Sequence, residues 1–499
     1  MSRKGVLIFA NAPYDPDDRE SVMRHARKLE GRTLREAINA LVPPKELGVV
    51  MEEAAKYCTG KAKGKFGNAI EAGHFYYKPN SDKEPDLGWA ELKCTGLKRV
   101  KSGRSNKLSA KERLVICMIN FGGGDQKEGE SILTETFETS HAKQKLGSLV
   151  LVFYEYAKDT DVLDLKVLLV DHWIPNASEL RMIREDWEVI RTYVNDGKAH
   201  LISEGLTNLL GACTKGAKGT DRVKQANSSE EAKPRAFALK QAFVTQIYER
   251  LLNQRASKTP EPEVHLDGME LYRKAKDSFE DFVTKRLNKY AGKTTVKICE
   301  ELGITGKFES KDKHARRMRK FLNKILSGSQ DQESDNLAEF KNTGLQIKTV
   351  RLKANGMPAE AVSFPHFKYD ELAAEDSWED SELYGMLTSR FLFIFLREMG
   401  EGKDPVFEKA VFHSLSEADL DEAEAAWKLA VEKTREHLYE EMPGQKANRV
   451  IHVRPHDSKA RYIKNPSIEK HRCFWLNQGY IKKTITDPQL PVKGRSASP

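Results

Sequence analysis

The chain has 499 residues, 39% of them hydrophobic, which is enough for two to four packed domains. The formal net charge of +8 is mild and compatible with a phosphate-binding face. Its six cysteines are scattered without a C-x-x-C pair, which argues against a zinc site or a disulfide framework. The N-terminal apolar run is too short for a signal peptide and no run is long enough to span a membrane, so we expect a cytoplasmic protein.

Helical and strand patterns follow one another through the first half of the chain. Two short helices are predicted between Ser21 and Leu41, interrupted at Gly31 and restarted by Thr33 as an N-cap. Further predicted helices are 47–57, 65–75 and 185–194, predicted strands are 113–121, 149–156 and 165–170, and 237–251 is predicted as a strand that runs into a helix. The proline-containing stretch 253–267 is typical of a linker.

A charged stretch, 78–99, lies between these elements. If 89–94 is a strand, Glu91 and Lys93 point to the same face, because side chains alternate with period two. Asp86 precedes them in a turn indicated by a neighbouring proline and glycine. Two carboxylates and an ammonium that converge on one point are what metal-dependent phosphodiester hydrolysis requires. In that reaction oxygen ligands hold the metal, and a lysine polarises the attacking water. The alternative is a solvated edge strand, since 31% of the chain is charged.

The second half of the chain repeats sequences of the first. Two of the repeated segments share an offset of 255 residues, from 65 to 320 and from 91 to 346. This constant offset predicts a duplicated domain of roughly 240 residues. The echoing pairs are Leu29–Thr33 with Tyr290–Thr294, Lys65–Ile70 with Lys320–Ile325, and Glu91–Thr95 with Gln346–Val350.

The proposed metal ligands are missing from the second copy. At the same offset, none of the three carboxylates has a carboxylate as its counterpart: Leu326 stands for Glu71, Lys341 for Asp86 and Gln346 for Glu91. The counterpart of Lys93 is again a lysine, Lys348. If the apolar strands are matched at Leu149 and Phe391, Lys145 falls opposite Leu387. Leu, Lys and Gln do not supply the negative charge that holds Mg²⁺, so one copy is predicted to be catalytic and the other not. The alternative is that these carboxylates were lost by random drift, because they lie on a solvent-exposed face.

Six segments in order resemble the MutH-like endonucleases, and more specifically their two-domain type IIE restriction enzymes that cut at GATC. They are LEGRTLREAI from Leu29, GNAIEAG from Gly67, PDLGWAELK from Pro85, ETSHAKQKL from Glu138, REDWE from Arg184 and PRAFALKQ from Pro234. The resemblance implies an α/β (α+β mixed-sheet) PD-(D/E)xK fold, duplicated, with a catalytic N-terminal copy and a degenerate C-terminal copy. The implied domains are 1–252 and 268–499, joined by the linker 253–267.

The resemblance also implies roles for individual residues. Asp86 and Glu91 would be metal ligands, Lys93 the catalytic lysine, and Glu71 and Lys145 further catalytic groups. The spacing from Asp86 to Glu91 is shorter than is usual in the family, so Asp82 or Glu84 remains an alternative first ligand.

DNA-reading residues are implied near the end of each copy. In the first copy they are Thr214 and Lys215 of a loop at 211–216, with Arg235 and Lys240 of a basic strand. Ala238 stands where the mismatch-repair members have tyrosine, which puts that contact in doubt. In the second copy, 451–455 with Arg454 resembles the base-reading loop, Lys459 belongs to the compact basic run that includes Arg454, and 474–476 resembles the terminal strand. Ordinary surface charge is the alternative for each of these basic residues.

The function implied is Mg²⁺-dependent cleavage of both strands of double-stranded DNA at GATC, leaving 5′-phosphate ends. The second copy would bind a second site as an effector, in a monomer or a DNA-induced dimer. A strand-nicking mismatch-repair endonuclease is the alternative within enzymes, but those proteins resemble a single copy. A non-catalytic DNA-binding regulator is the alternative outside enzymes, and it would have no need of carboxylates beside phosphate.

Overall fold

The protein is described by a computed structural model that covers residues 13–59, 64–79, 84–102, 105–124, 131–215, 221–256, 277–308, 313–331, 338–455 and 472–486. The chain divides into two compact units. Unit 1 comprises Met1–Val194 and Ala212–Pro262, and unit 2 comprises Asn195–Gly211 and Glu263–Pro499. The sequence-based boundary at 252 leaves Asn195–Gly211 in the first domain, whereas the units assign this segment to the second.

Unit 1 contains helices on a mixed sheet and a second, smaller sheet. Its helices are α1 (Arg19–Ala26), α2 (Leu34–Leu41), α3 (Leu47–Lys56), α4 (Lys65–Gly73), α5 (His141–Leu146), α6 (Ala177–Asn195) and α7 (Gln241–Ala256). Its strands are β1 (Glu91–Ser102), β2 (Ser105–Ala110), β3 (Leu114–Met118), β4 (Leu149–Glu155), β5 (Val167–Trp173), β6 (Leu210–Thr214) and β7 (Arg235–Leu239).

The larger sheet of unit 1 has the order β2-β1-β4-β5. β1 pairs in parallel with β4, which places Glu91 opposite Leu149 and Lys93 opposite Leu151. β1 and β2 form an antiparallel hairpin, and β5 is antiparallel to β4. The first five residues of β4 are fully buried, as expected of a strand covered on both faces. The smaller sheet has the order β3-β7-β6, with β3 and β7 antiparallel.

The C-terminal end of α7 is hydrogen-bonded to β5 and to Glu30. Arg255 donates from Nε to Asp171 (2.8 Å), from Nη1 to Glu30 (2.6 Å) and from Nη2 to the Val170 carbonyl (2.6 Å). The predicted linker therefore begins later than Asn253, because residues 253–256 are the last turn of this helix. The remainder of 253–267 lies outside the described residues.

Unit 2 is built from a similar succession of elements. Its helices are α8 (Phe279–Asn288), α9 (Thr295–Glu301), α10 (Lys313–Ser327), α11 (Ala338–Thr343), α12 (Tyr369–Ala373), α13 (Glu382–Leu387), α14 (Glu417–Arg435) and α15 (Gln478–Thr486). Its strands are β8 (Gln346–Leu352), β9 (Val362–His366), β10 (Phe391–Arg397), β11 (Val406–His413), β12 (Ile451–Pro455) and β13 (Arg472–Leu476).

Three of the four strands of the larger sheet of unit 1, and all three of the smaller sheet, recur in the described part of unit 2, which confirms the predicted duplication. In the order β11-β10-β8, β10 is parallel to β8 and antiparallel to β11, as β4 is to β1 and β5. The small sheet β12-β13-β9 likewise repeats β6-β7-β3. Gln346 pairs with Phe391 just as Glu91 pairs with Leu149, so the strand registers match at the predicted positions.

The glycine turns that echo in sequence are also equivalent in structure. Gly31 donates its backbone N–H to the Val167 carbonyl (2.9 Å), and Gly292 donates to Phe407 (2.9 Å). Both glycines have positive φ, which their residue type tolerates. Thr33 and Thr294 then cap α2 and α9. The proposed Asp86–Lys341 pair is wrong as a structural match, because Asp86 lies in a turn and Lys341 in α11.

The segment Asn195–Gly211 packs within unit 2 through polar contacts near α13. Tyr384 donates its hydroxyl to Glu204 (3.0 Å), and the buried Arg390 reaches the Gly205 carbonyl (3.4 Å). A Cβ on Gly205 would approach Ser414 to 3.1 Å, which leaves little room for a larger residue. Among the helices of the described ranges, none is long and apolar enough to cross a membrane.

Two stacked histidines connect α1 to the chain that follows α4. The rings of His25 and His74 lie 4.2 Å apart, and each ring contacts the other residue's backbone carbonyl through Nε2, at 2.8 and 3.0 Å. Burial lowers the pKa of His25 to about 4 and, with the neighbouring His25, lowers that of His74 well below its usual range. Both imidazoles are therefore neutral in the folded protein.

We predict that unit 1 loses stability as the pH falls from about 6.5 towards 4. Unfolded histidines take up protons below about pH 6.5, whereas the buried pair does not, so acid favours unfolding by about 1.4 kcal/mol per pH unit for each histidine. Urea unfolding at pH 7 and pH 5 should show a flatter dependence for His25→Gln, which removes one titrating ring. His437→Gln, at an exposed histidine, is the matched control. An unchanged slope in His25→Gln would contradict the prediction.

Candidate active site

The buried carboxylate of Glu91 is contacted by two lysine side chains of unit 1. Its side chain is 1% exposed at the start of β1. Lys93 donates to Glu91 Oε1 (2.7 Å) from the same strand, and Lys145 donates to the same oxygen (2.8 Å) from α5. The predicted convergence of Glu91 and Lys93 on one face is confirmed, and the solvated-edge-strand alternative is wrong for Glu91.

Asp86 lies beside Glu91 through the turn that leads into β1. The Leu92 backbone N–H donates to Asp86 Oδ2 (3.1 Å), and the Asp86 backbone N–H lies 3.4 Å from Glu91 Oε2. These contacts set the carboxylate of Asp86 next to the strand. Of the alternative first ligands, Glu84 is exposed and Asp82 lies outside the described residues.

Glu71, near the end of α4, completes an acidic cluster. Burial first, and then the charge of Asp86, raise the pKa of Glu71 to about 8. Burial and the charge of Glu91 likewise raise the pKa of Asp86. Burial alone would lower the pKa of Lys93, but attraction to Glu91 and hydrogen bonding with it outweigh burial, and the pKa is raised. The two lysines thus do not fully offset three neighbouring carboxylates.

This donor set fits a hard divalent cation. Asp86 and Glu91 offer carboxylate oxygens, and added positive charge would oppose the burial and the repulsion by Glu91 that raise the pKa of Asp86. Across the described ranges, no three His, Cys, Asp or Glu side chains are gathered into a metal site made by protein atoms alone. Mg²⁺ is commonly held by one or two carboxylates and completed by water and substrate phosphates, so two carboxylates are sufficient here.

Ser140 positions Lys145 and was not singled out from the sequence. Its hydroxyl accepts from the Lys143 backbone N–H (3.2 Å) as the N-cap of α5 and donates to the Phe137 carbonyl (2.8 Å). Serine directly before a short helical run is the signal that would have indicated this role. We assign Ser140 as a positioning residue because it fixes the start of the helix that carries Lys145.

The equivalent place in unit 2 has no carboxylate at the strand position of Glu91. Gln346 occupies it and donates from Nε2 to the Met386 carbonyl (2.7 Å). Ser381 caps α13 as Ser140 caps α5, so Met386, rather than the predicted Leu387, is the counterpart of Lys145. Lys348 keeps the position of Lys93, but it donates to the Ser363 carbonyl (3.2 Å).

The predicted DNA-reading residues of unit 1 lie around the small sheet. Thr214 ends β6 and Lys215 follows it, with its backbone N–H donated to the Pro234 carbonyl (2.7 Å), so the predicted loop is partly a strand. Arg235 is 1% exposed and donates to the Ala212 carbonyl (2.7 Å), and Lys240 is 6% exposed. In this conformation Arg235 ties β6 to β7, and the DNA contacts of Arg235 and Lys240 stay predictions.

In unit 2, Arg454 lies next to the last residue of β12, with its guanidinium 3.9 Å from the centre of the Trp475 ring. Stacking on an aromatic face restricts the guanidinium without neutralising it. The segment predicted as a base-reading loop is therefore a strand up to Pro455, and Lys459 lies outside the described residues.

A mixed sheet with Glu91 and Lys93 at the start of β1, and Asp86 in the turn before it, defines a nuclease of the PD-(D/E)xK class. Residues 75–186, which contain these three and Lys145, match the family described as "DNA mismatch repair enzyme MutH". Over 477 residues the chain is 31% identical to the type II restriction enzyme Sau3AI of Staphylococcus aureus, covering 86% of this chain and 93% of that protein. It is 23% identical over 248 residues to the mismatch repair protein MutH of Yersinia pestis (strain Pestoides F), covering 49% of this chain and 97% of that protein.

The chain therefore belongs to the MutH-like endonuclease family and is a site-specific deoxyribonuclease. The long alignment with the restriction enzyme spans most of both chains, whereas the mismatch-repair relative accounts for about half of this one.

We predict that Lys145→Met destabilises unit 1 more than Lys143→Met. The first change removes one of two cations from a buried carboxylate and should cost about 1–3 kcal/mol of unfolding free energy. The second breaks an exposed pair between Lys143 of α5 and Glu138, which precedes that helix, and should cost below about 0.5 kcal/mol. Urea unfolding in EDTA measures both. Equal losses would mean that Lys145 contributes nothing beyond a surface pair.

Proposed function

We propose that this protein is a type II restriction endonuclease that cuts both strands of duplex DNA at GATC with Mg²⁺ and leaves 5′-phosphate ends. Asp86 and Glu91 would hold the metal, with Glu71 as a further carboxylate at the site. Lys93 and Lys145 would orient the attacking water and offset charge that develops on the phosphate. Unit 2 would bind a second site and act as an effector.

The observation that carries the proposal is the buried Glu91 with two lysines on one of its oxygens. A DNA-binding protein without catalysis gains nothing from burying a carboxylate where phosphate must approach, because the two repel each other. The same strand position in unit 2 holds Gln346, which fits a copy that binds DNA without cutting it. The GATC sequence rests on the resemblance alone.

The alternative function is strand nicking in mismatch repair. It is favoured by the match of residues 75–186 to the mismatch-repair family. It is disfavoured by unit 2, because the mismatch-repair relative aligns with 49% of this chain. A nicking enzyme would convert supercoiled plasmid to open circles without linear product, which separates the two functions in one assay.

The test is digestion of unmethylated plasmid DNA, followed by mapping of both ends. We expect cleavage with Mg²⁺ or Mn²⁺, loss of cleavage in EDTA, and indifference to a zinc-selective chelator, since the candidate ligands are oxygen donors. Mapped 5′-phosphate ends at GATC support the proposal. Cleavage at another sequence would overturn the specificity, and full activity in EDTA would overturn the metal.

Variants of the proposed site should separate cutting from binding. Glu91→Gln and Lys93→Ala should lower the rate of cleavage by at least on the order of 10²–10³-fold, with specific binding largely retained. Asp86→Asn should match them, whereas Glu84→Gln should cut normally if Asp86 is the first ligand. Single-turnover cleavage and gel-shift binding measure the two properties. Near-normal cutting by Glu91→Gln or Lys93→Ala would place the active site elsewhere.

A variant of unit 2 should lower stimulation by a second DNA site. Arg454→Ala should weaken binding by unit 2 by about 1–3 kcal/mol if Arg454 reads a base. Cleavage of single-site DNA should fall less than its stimulation by added GATC duplex. The matched control is Arg286→Ala, which removes another arginine stacked on an aromatic ring. Full stimulation in Arg454→Ala would contradict this role of Arg454.

These tests use the full chain. A chain that ended at Asn253 would lose Arg255 and its bonds to Glu30 and Asp171, so poor cutting by it would not report on unit 2.

A further inference from the structure

His172, near the end of β5, contacts the chain on both sides of Glu91. Its Nε2 lies 2.8 Å from the Ser148 hydroxyl oxygen, which is hydrogen-bond distance. Its ring also meets the Trp89 ring edge to face, with 5.0 Å between the ring centres. Ser148 accepts the backbone hydrogen bond of Glu91, and Trp89 precedes Glu91 by two residues. One side chain thus reaches both segments that determine where Glu91 lies.

Ser148 is connected to both partners of the buried ion pair. Its carbonyl accepts the Glu91 backbone N–H (3.0 Å) where β1 begins. It also lies three residues after Lys145, between α5 and β4. The contact between the Glu91 carboxylate and the Lys145 ammonium (2.8 Å) therefore depends on the position of Ser148. A hydrogen bond to the Ser148 hydroxyl restrains both partners at once.

His172 is itself restrained by its surroundings. It pairs with Val150 in the β4–β5 ladder, and its backbone N–H donates to the Asp171 carboxylate (2.9 Å). The Arg19 guanidinium lies 5.3 Å from the centre of the Trp89 ring and restricts the ring that His172 meets. Burial, and then the charge of Arg19, lower the pKa of His172. The imidazole is therefore neutral at neutral pH, with one donor and one acceptor nitrogen.

Unit 2 has the same main-chain hydrogen bond without this side-chain contact. Gln346 donates its backbone N–H to the Arg390 carbonyl (2.9 Å), so Arg390 is the counterpart of Ser148. Phe412 stands at the ladder position of His172, and its ring offers no hydrogen bond. The strand start forms in unit 2 without a histidine, so the fold alone does not require one.

Other groups hold this place in unit 2. Arg390 is buried, pairs with Glu280 (2.5 Å) and donates to the Ser414 hydroxyl (3.2 Å). Gly344, which lies 255 residues after Trp89, has no side chain to meet a ring. The serine, histidine and tryptophan therefore accompany the strand start that carries a carboxylate and are replaced where that start carries an amide.

We propose that His172 is a positioning residue of the active site, which through Ser148 keeps Glu91 and Lys145 in the relative position that the reaction needs. The inference rests on the proposed function, in which Glu91 and Lys145 act at the active site, and adds a residue that orients them without contacting DNA or metal. Outer partners of metal ligands typically contribute on the order of 10–100-fold to activity or metal affinity. Misplacement of reacting groups by about 1 Å can cost on the order of 10²-fold in rate.

The test measures single-turnover cleavage by the full chain at saturating DNA. His172→Phe keeps an aromatic ring, as Phe412 does in unit 2, but removes the hydrogen bond to Ser148. It should lower the rate on the order of tenfold and leave the DNA concentration for half-maximal rate unchanged. Ser148→Ala should lower the rate by the same factor, and the double variant should fall no further, because the two side chains act through one bond. His172→Gln, whose amide can replace Nε2, should retain most of the rate.

Hydrogen exchange gives a readout that depends on neither cleavage nor metal. In EDTA, mass spectrometry of peptides that contain Glu91 should show faster exchange of its amide in His172→Phe, because the Ser148 carbonyl that accepts its bond is less restrained. The matched control is Ser109→Ala, which removes a hydroxyl contact with Thr245 (3.2 Å) elsewhere in unit 1. It should leave both the rate and the exchange at wild-type values. Thermal unfolding checks that each variant folds.

The outcomes separate this inference from the proposed function. The wild-type rate in either single variant, or unchanged exchange at Glu91, overturns the positioning role even if ends map to GATC and Glu91→Gln is inactive. Losses that multiply in the double variant, or a His172→Gln as slow as His172→Phe, overturn it too. Slower cleavage with faster exchange supports the role even if the mapped ends lie at another sequence. Normal cleavage by Glu91→Gln would overturn the proposed active site and this inference together.

Discussion

The charged centre of unit 1 depends on one buried carboxylate that accepts hydrogen bonds from two ammonium groups. Removing a charge from water is costly unless partners compensate it, and Glu91 has its partners in Lys93 and Lys145. One partner comes from the same strand and the other from a helix 54 residues further on. The ion pair between Glu91 and Lys145 can form because β1 lies parallel to β4. Since β4 directly follows α5 in the chain, α5 lies at the start of β1.

The two units show that the fold and the chemistry are held by different residues. The fold is held by main-chain pairing and apolar strands, for example Gly31 on Val167 and Gly292 on Phe407. The proposed chemistry depends on a few side chains at and before the start of one strand. Those can change without loss of the architecture, because Gln346 finds a hydrogen-bond partner in the Met386 carbonyl. The strand position that holds a carboxylate in unit 1 thus holds an amide in unit 2.

The basic residues show where sequence reasoning reaches its limit. Arg235 and Arg454 were predicted alike from basic segments that resemble DNA-reading elements. One is buried against the Ala212 carbonyl, and the other is stacked on Trp475 at the end of a strand. A basic residue in a strand has the same signature whether its side chain points to the core or to solvent. The outcome depends on which neighbouring strand or ring it meets.

The sequence alone determined the central motif, the duplication and the family. Alternation placed Glu91 and Lys93 on one face, and the constant offset identified Gln346 and Lys348 as their counterparts, because both depend on spacing along the chain. Only the tertiary structure decided that Lys145 shares an oxygen with Lys93, that Met386 is its counterpart, and that Lys341 does not replace Asp86. It also assigned Asn195–Gly211 to the second unit and placed His172 in contact with Ser148 and Trp89. Those facts depend on residues far apart in sequence, which local patterns do not relate to one another.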